Sequence, residues 1–174
     1  NPKDVMVLIE QTFGTIPASP SQPQIVTVEP PQRGERRVEV EFDAEPSLVI
    51  GFHKPALGHP DDYVFDAIAA VLSDGLTSRL YRKLVRENRI AASISSDSNH
   101  PGVRAPNLFV INATPLAPHT TAEVESAIYT EIERLKTEPV SAKELEKVLN
   151  NIDADLVRAL RSNGGLASQL ALFQ

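Results

Sequence analysis

The stretch Gly75-Leu76-Thr77-Ser78-Arg79-Leu80-Tyr81-Arg82-Lys83-Leu84-Val85-Arg86-Glu87-Asn88-Arg89-Ile90-Ala91-Ala92-Ser93 reads as a turn, a helix and the start of a strand. Leu80, Leu84 and Val85 recur at helical spacing and define an inward face over Gly75–Asn88. Arg79, Arg82, Lys83, Arg86 and Arg89 fall away from that face. This describes a solvated cationic surface; the alternative is an arginine aimed into a cavity toward a substrate carbonyl or carboxylate.

Working outward, Pro60–Ser73 predicts a helix whose Val64, Phe65, Ile68, Val71 and Leu72 turn toward a core. Upstream, Arg36–Phe42 alternates, with Val38, Val40 and Phe42 on one face and Arg37, Glu39 and Glu41 on the other, predicting a strand with one wet side. Ser47–His53 is nearly continuous in apolar residues and predicts a more buried strand. Downstream, Ala91–Asp97 and Leu108–Thr114 are the next strands. Thr120 with Glu123, and Ser141 with Glu144, have the spacing of reciprocal capping boxes and start two long helices. In the second helix Leu145, Leu149, Ile152, Leu156 and Leu160 form a stripe, expected to pack on the domain's own sheet, with a partner-binding seam as the alternative. Gly164-Gly165 predicts a break before a short helix near Leu166.

At the other end, residues 2–14 predict a helix, with Pro2 at its first position and Gly14 at its C-terminal cap. Residues 17–32 hold Pro17, Pro20, Pro23, Pro30 and Pro31 and predict an extended linker. The expected organisation is a junction helix over 1–16, the linker over 17–32, and a lobe over 33–174. The order of elements predicts an α+β fold, an antiparallel sheet with helices packed on one face.

Seventeen basic and 23 acidic residues give a net charge of −6, which disfavours nucleic acid and anionic membranes as partners. The 174 residues contain no cysteine, excluding disulfides, thiolate zinc sites and a cysteine nucleophile. No apolar run is long enough to insert in a membrane. The chain starts at Asn1-Pro2-Lys3 and stops at Leu172-Phe173-Gln174 inside a predicted helix, so it is expected to be part of something longer.

Candidate chemistry is sparse. His53, His59, His100 and His119 are never three or four apart on a predicted helix, so no two-histidine zinc face forms, and each reads as solvated or locally bonded. A site from His53 and His59 would need a carboxylate that the sequence does not identify. Asp61-Asp62 and Glu144/Glu146 sit at helix starts, where they favour the helix dipole. No serine has a nucleophile-elbow context and no glycine pattern forms a phosphate loop.

The run Ser78-Arg79-Leu80-Tyr81 followed by Leu84-Val85-Arg86-Glu87 and Ala92-Ser93 resembles the pitrilysin-type zinc metallopeptidases, which include the processing peptidases. Asn1-Pro2-Lys3-Asp4, Phe13-Gly14-Thr15-Ile16-Pro17 and Gly34-Glu35-Arg36-Arg37 are similar to that family's junction and following strand, so the resemblance covers essentially the whole chain. It implies a processing-peptidase-like lobe lacking the His-x-x-Glu-His zinc motif, the second, "inactive" domain of a clamshell peptidase. Zinc is then expected in an upstream lobe of the parent, with no cofactor or metal in this chain and no peptide cleavage by it alone. The implied partners are that upstream lobe, a homologous subunit or second copy, and peptide substrates. In the family an arginine and a tyrosine contact substrate; the alignment places Arg86 on the arginine and Ser93 on the tyrosine position. A non-enzymatic scaffold, like core subunits of respiratory complexes, is the alternative. The compartment stays open, between bacterial cytoplasm and periplasm.

Overall fold

The computed structural model describes residues 1–19 and 30–172. Most of the predicted linker, residues 20–29, lies outside the described residues. The chain divides into two units, Asn1–Glu41 and Phe42–Gln174.

In the first unit, α1 spans Pro2–Phe13. Asn1 caps it, its side chain accepting the Lys3 N–H at 3.1 Å, and the Gly14 N–H closes the last turn on Glu10 O at 2.9 Å. The predicted strand over Arg36–Phe42 does not form: these residues lie outside any strand, and Val38, Val40 and Phe42 are 83%, 81% and 84% exposed. Alternation marks a side-chain period, but a strand also needs a hydrogen-bonding neighbour, and no described segment pairs with this one.

The second unit is the α+β fold. Its elements are β1 (Leu48–Lys54), α2 (Pro60–Ser73), a π-helical segment (Tyr81–Glu87), β2 (Ala91–His100), β3 (Asn107–Pro115), α3 (Thr121–Thr137), α4 (Ala142–Ala159) and α5 (Asn163–Leu172). The strands form an antiparallel sheet in the order β1-β3-β2. β2 and β3 are joined by a short connection and pair directly; β1 takes the other side of β3, with Ile50 opposite Ile111 and Phe52 opposite Phe109.

Helices cover one face of this sheet. Ile50, Ile94, Phe109, Ile111 and Ala113 from the strands meet Leu72 of α2, Leu80 and Leu84 of the basic segment, and Val124 and Ile128 of α3 in one core. Phe109 is its aromatic hub, with ring centroids 6.3 Å from Phe52 and 5.9 Å from Phe65. Burial of each large aliphatic side chain contributes about 1.5–3 kcal/mol, so this face holds the lobe together. Val64, expected inward, is 54% exposed; the inward stripe of α2 runs through Asp62, Phe65, Ala69 and Leu72 instead.

The C-terminal helices hold two further corrections. Both capping boxes form, at Thr120/Glu123 and Ser141/Glu144. The α4 stripe does not pack on the sheet: Leu145, Leu149, Ile152, Leu156 and Leu160 are 47–54% exposed, and Val148 is the residue of α4 that is buried. α4 reaches the lobe through its other side, where Lys147 Nζ donates to Asp74 O at 2.8 Å. Nor is Gly164-Gly165 the break between helices. The chain leaves the helix around Leu160–Ser162, and both glycines lie in the first turn of α5. A Cβ at Gly165 would stand 1.9 Å from Ala159 O, so this close approach admits no side chain.

Candidate functional site

The basic segment is built from a turn outward. Gly75, at φ +73°, turns the chain out of α2, and Ser78 Oγ donates to Gly75 O at 2.7 Å. Helix starts at Arg79, later than Gly75, and then widens: the Asn88 N–H reaches back to Lys83 O at 2.9 Å, the π-helical spacing. This keeps Leu80 and Leu84 fully buried while the chain turns toward β2. Arg89 makes the turn at φ +52°, a left-handed position that usually takes glycine. Ile90 locks the exit, its N–H on Leu84 O at 2.9 Å and its carbonyl accepting the Leu116 N–H at 2.9 Å.

The five cations divide sharply. Arg79 is buried, contrary to a solvated reading, and makes a two-pronged bridge to Glu144 of α4, with Nε–Oε1 at 2.8 Å and Nη2–Oε2 at 3.0 Å. The guanidinium, helped by hydrogen bonds from Ser141, holds the Glu144 carboxyl down to about 2, against the opposing effect of burial. Arg82 and Lys83 both pair with Glu87, at 3.5 and 3.2 Å. Arg86 and Arg89 are exposed, and the side chain of neither makes a hydrogen bond or ion pair with any described residue.

Beyond Arg89, β2 and β3 present the uncovered face of the sheet. Val49 of β1, Ser93, Ser95 and Asp97 of β2 and Asn112 of β3 are exposed there around the buried Val110, and Ser93 stands opposite Thr114 across the bulge that follows Ala91. The Ser93 hydroxyl has no side-chain hydrogen bond among the described residues. Arg86 and Ser93 thus both reach solvent near one end of β2, but Ser93 offers a short hydroxyl where the resemblance expects a phenol.

A second polar cluster lies at the far end of the sheet, and the sequence reading missed it. Lys54 and Asp62 form an ion pair with side chains 0% and 1% exposed, and Lys54 Nζ also donates to Asn99 Oδ1 at 3.3 Å. Asn99 donates to Ser98 Oγ at 3.1 Å, and Ser98 donates to Asp66. Asp62 is therefore more than a dipole-favouring residue at a helix start. Period-two counting from Ile50 and Phe52 places Lys54 on the core face, and helical counting back from Phe65 and Leu72 does the same for Asp62. That pair of signals was available.

His53 of β1 and His100 of β2 both stand opposite Leu108, on the two sides of β3. His59 caps α2, its Nδ1 accepting the Asp61 N–H at 3.2 Å, and His119 lies 3.5 Å from Glu123. Among the described residues no group of three His, Asp or Glu side chains could hold a metal ion. The donors of the described residues do not fit a catalytic zinc. No described helix is long and apolar enough to cross a membrane.

Comparison with known proteins agrees with this architecture. Residues 1–152 match the family model of the peptidase M16 inactive domain. The chain is similar to the zinc protease PqqE of Helicobacter pylori, 29% identical over 146 residues, covering 82% of this chain and 32% of that protein. A solved protease from Helicobacter pylori superposes with a TM-score of 0.89 at 26% identity, over 99% of this chain and 42% of that one. The solved inactive peptidase domain from Bordetella parapertussis has a TM-score of 0.60 at 23% identity, over 74% of this chain and 69% of that one, a likeness of fold alone. The chain thus spans less than half of each of the two Helicobacter relatives. By its family match and its shared fold, the chain belongs to the M16 peptidases, as their inactive domain.

Proposed function

We propose that this lobe is a non-catalytic wall of a peptide-enclosing chamber in a zinc endopeptidase, with zinc and the hydrolytic water held on another lobe of the same protein. The observation that carries the reading is the match of residues 1–152 to the inactive domain of a peptidase family. The local geometry supports it: one face of the sheet is closed by helices, the other exposes Ser93, Ser95, Asp97 and Asn112, and Arg86, without a side-chain partner among the described residues, precedes β2 in the chain. An extended peptide lying on that face would meet the Arg86 guanidinium, which donates to a backbone carbonyl. The further partners of this reading are the zinc-bearing lobe and a homologous subunit or second copy.

The test uses the protein carrying both lobes. Arg86→Ala lowers kcat/KM for peptide cleavage about tenfold, the loss of one charge-assisted hydrogen bond. The 174-residue chain alone takes up no stoichiometric zinc in elemental analysis and cleaves no peptide. Stoichiometric zinc, or cleavage that a chelator abolishes, would overturn the assignment. The exposed hydroxyl of Ser93 favours a second reading, a non-enzymatic scaffold. That reading gains if Arg86→Ala leaves cleavage unchanged in a protein that carries an intact zinc lobe.

A further inference from the structure

We infer that Arg86 and Arg89 together form a carboxylate-binding subsite at the Ala91 end of β2, so that the peptides this lobe holds carry an acidic side chain or a free C-terminus there. The inference rests on the peptide-contact reading above and adds a substrate class to it.

Three observations carry it. The first is the contrast within one segment: Arg79, Arg82 and Lys83 are each held by a glutamate, whereas Arg86 and Arg89 are not. The carboxylate next to Arg86 in the chain is already engaged: Glu87 pairs with Arg82 and Lys83. Two guanidiniums without a partner among the described residues therefore stand on a chain of net charge −6, a local positive spot on an acidic protein.

The second is conformational. Arg89 holds φ +52°, where a side chain is strained and glycine would not be. Nothing in the core needs its side chain, which is exposed and has no hydrogen-bond or ion-pair partner among the described residues. The turn is fixed by the backbone bonds of Ile90 to Leu84 and Leu116, so the arginine adds charge at a position its backbone would give to glycine.

The third is placement. Arg86 ends the π-helical turn, Arg89 is the residue at which it reverses, and the exposed Ala92 and Ser93 follow at once on β2. The cations thus flank the entry to the open sheet face. A guanidinium is a planar fork that matches a carboxylate with two parallel hydrogen bonds, and an exposed pair of them selects that group over a neutral amide.

The experiment is calorimetric titration of the full chain with short peptides that differ only in charge: one neutral and capped at both ends, one capped with an internal glutamate, and one neutral with a free C-terminal carboxylate. At least one carboxylate peptide is expected to bind about tenfold tighter than the neutral one, the size of one charge-assisted hydrogen bond, and which one does so identifies the source of the group. Arg89→Gly is expected to erase that preference while leaving the affinity for the neutral peptide and the thermal midpoint undiminished, because glycine suits the backbone there. Arg89→Lys keeps part of it. Equal binding of all three peptides, a preference that survives Arg89→Gly, or no binding of any peptide would overturn the inference. A neutral peptide that binds through Arg86, with no charge preference, keeps the contact role and removes the subsite. A neutral peptide indifferent to Arg86→Ala removes the contact role itself.

Discussion

Arg79 and Arg86 share one helical segment, and their surroundings are opposite. Arg79 is driven inward and held by both oxygens of Glu144, so that it ties the segment to α4. Arg86 points to solvent with no partner among the described residues. The same contrast separates Lys54, locked to Asp62 under the sheet, from Arg89 at the turn. A cation that has lost its water must gain a carboxylate, and removing that carboxylate leaves an uncompensated buried charge. A cation in water owes nothing to the fold. In this lobe, buried cations fasten elements together and exposed ones remain available for recognition.

The strongest way to break that division is at Asp62. Asp62→Ala strands Lys54 and is expected to lower stability by about 3–5 kcal/mol, read as a shift of the urea midpoint. A loss under about 1 kcal/mol would mean that Lys54 finds water and is not locked. The double change Lys54→Met with Asp62→Leu is expected to recover most of the loss, since paired removal leaves no orphan charge.

Arg79→Ala comes next, with an expected loss of about 2–3 kcal/mol from the two-pronged bridge and its tether to α4. If Arg79→Ala is as mild as Arg86→Ala, the contrast between the two fails. Acid titration probes the same bridge more gently. Glu144 is depressed from 4.5 to about 2, so its contribution is complete above about pH 4.5 and is lost as pH falls toward 2. Because a third of the Glu144 side chain faces solvent, screening reduces this to about 1–2 kcal/mol. Glu144→Gln should flatten the stability profile across that window, and an unchanged slope would assign the acid loss to other carboxylates.

The smallest effect is expected at the exposed sites. Arg86→Ala and Leu149→Ser should each change stability by less than about 0.5 kcal/mol in the same urea experiment. A loss above 1 kcal/mol at Arg86 would make it a structural residue.

What was legible in advance follows the range of each signal. Helix α2 was predicted over its observed span, and both capping boxes were read from residues three apart, because a cap is settled by its own turn. The strands were found within a few residues of their ends, β1 from an apolar run and β2 and β3 as segments on either side of a Pro- and Gly-containing loop. The failures needed information from elsewhere in the chain. Arg36–Phe42 has the side-chain period of a strand and no described neighbour to pair with. The stripe of α4 has the period of a buried helix face, yet Val148 on the adjoining side is the residue that packs. Arg79 and Glu144 each looked solvated, one as part of a cationic face and the other as a helix start, because neither local pattern contains the other residue.

By itself the sequence determined the class of the lobe, its helix starts, its main core positions and its likeness to a peptidase family, since periodicity, capping and motif order are written over a few neighbouring residues. Only the tertiary structure decided which cations are fasteners and which are free, which face of α4 meets the lobe, and which face of the sheet stays open. Those outcomes depend on desolvation and pairing between residues far apart in the chain, and a charge's surroundings exist only once the elements have packed.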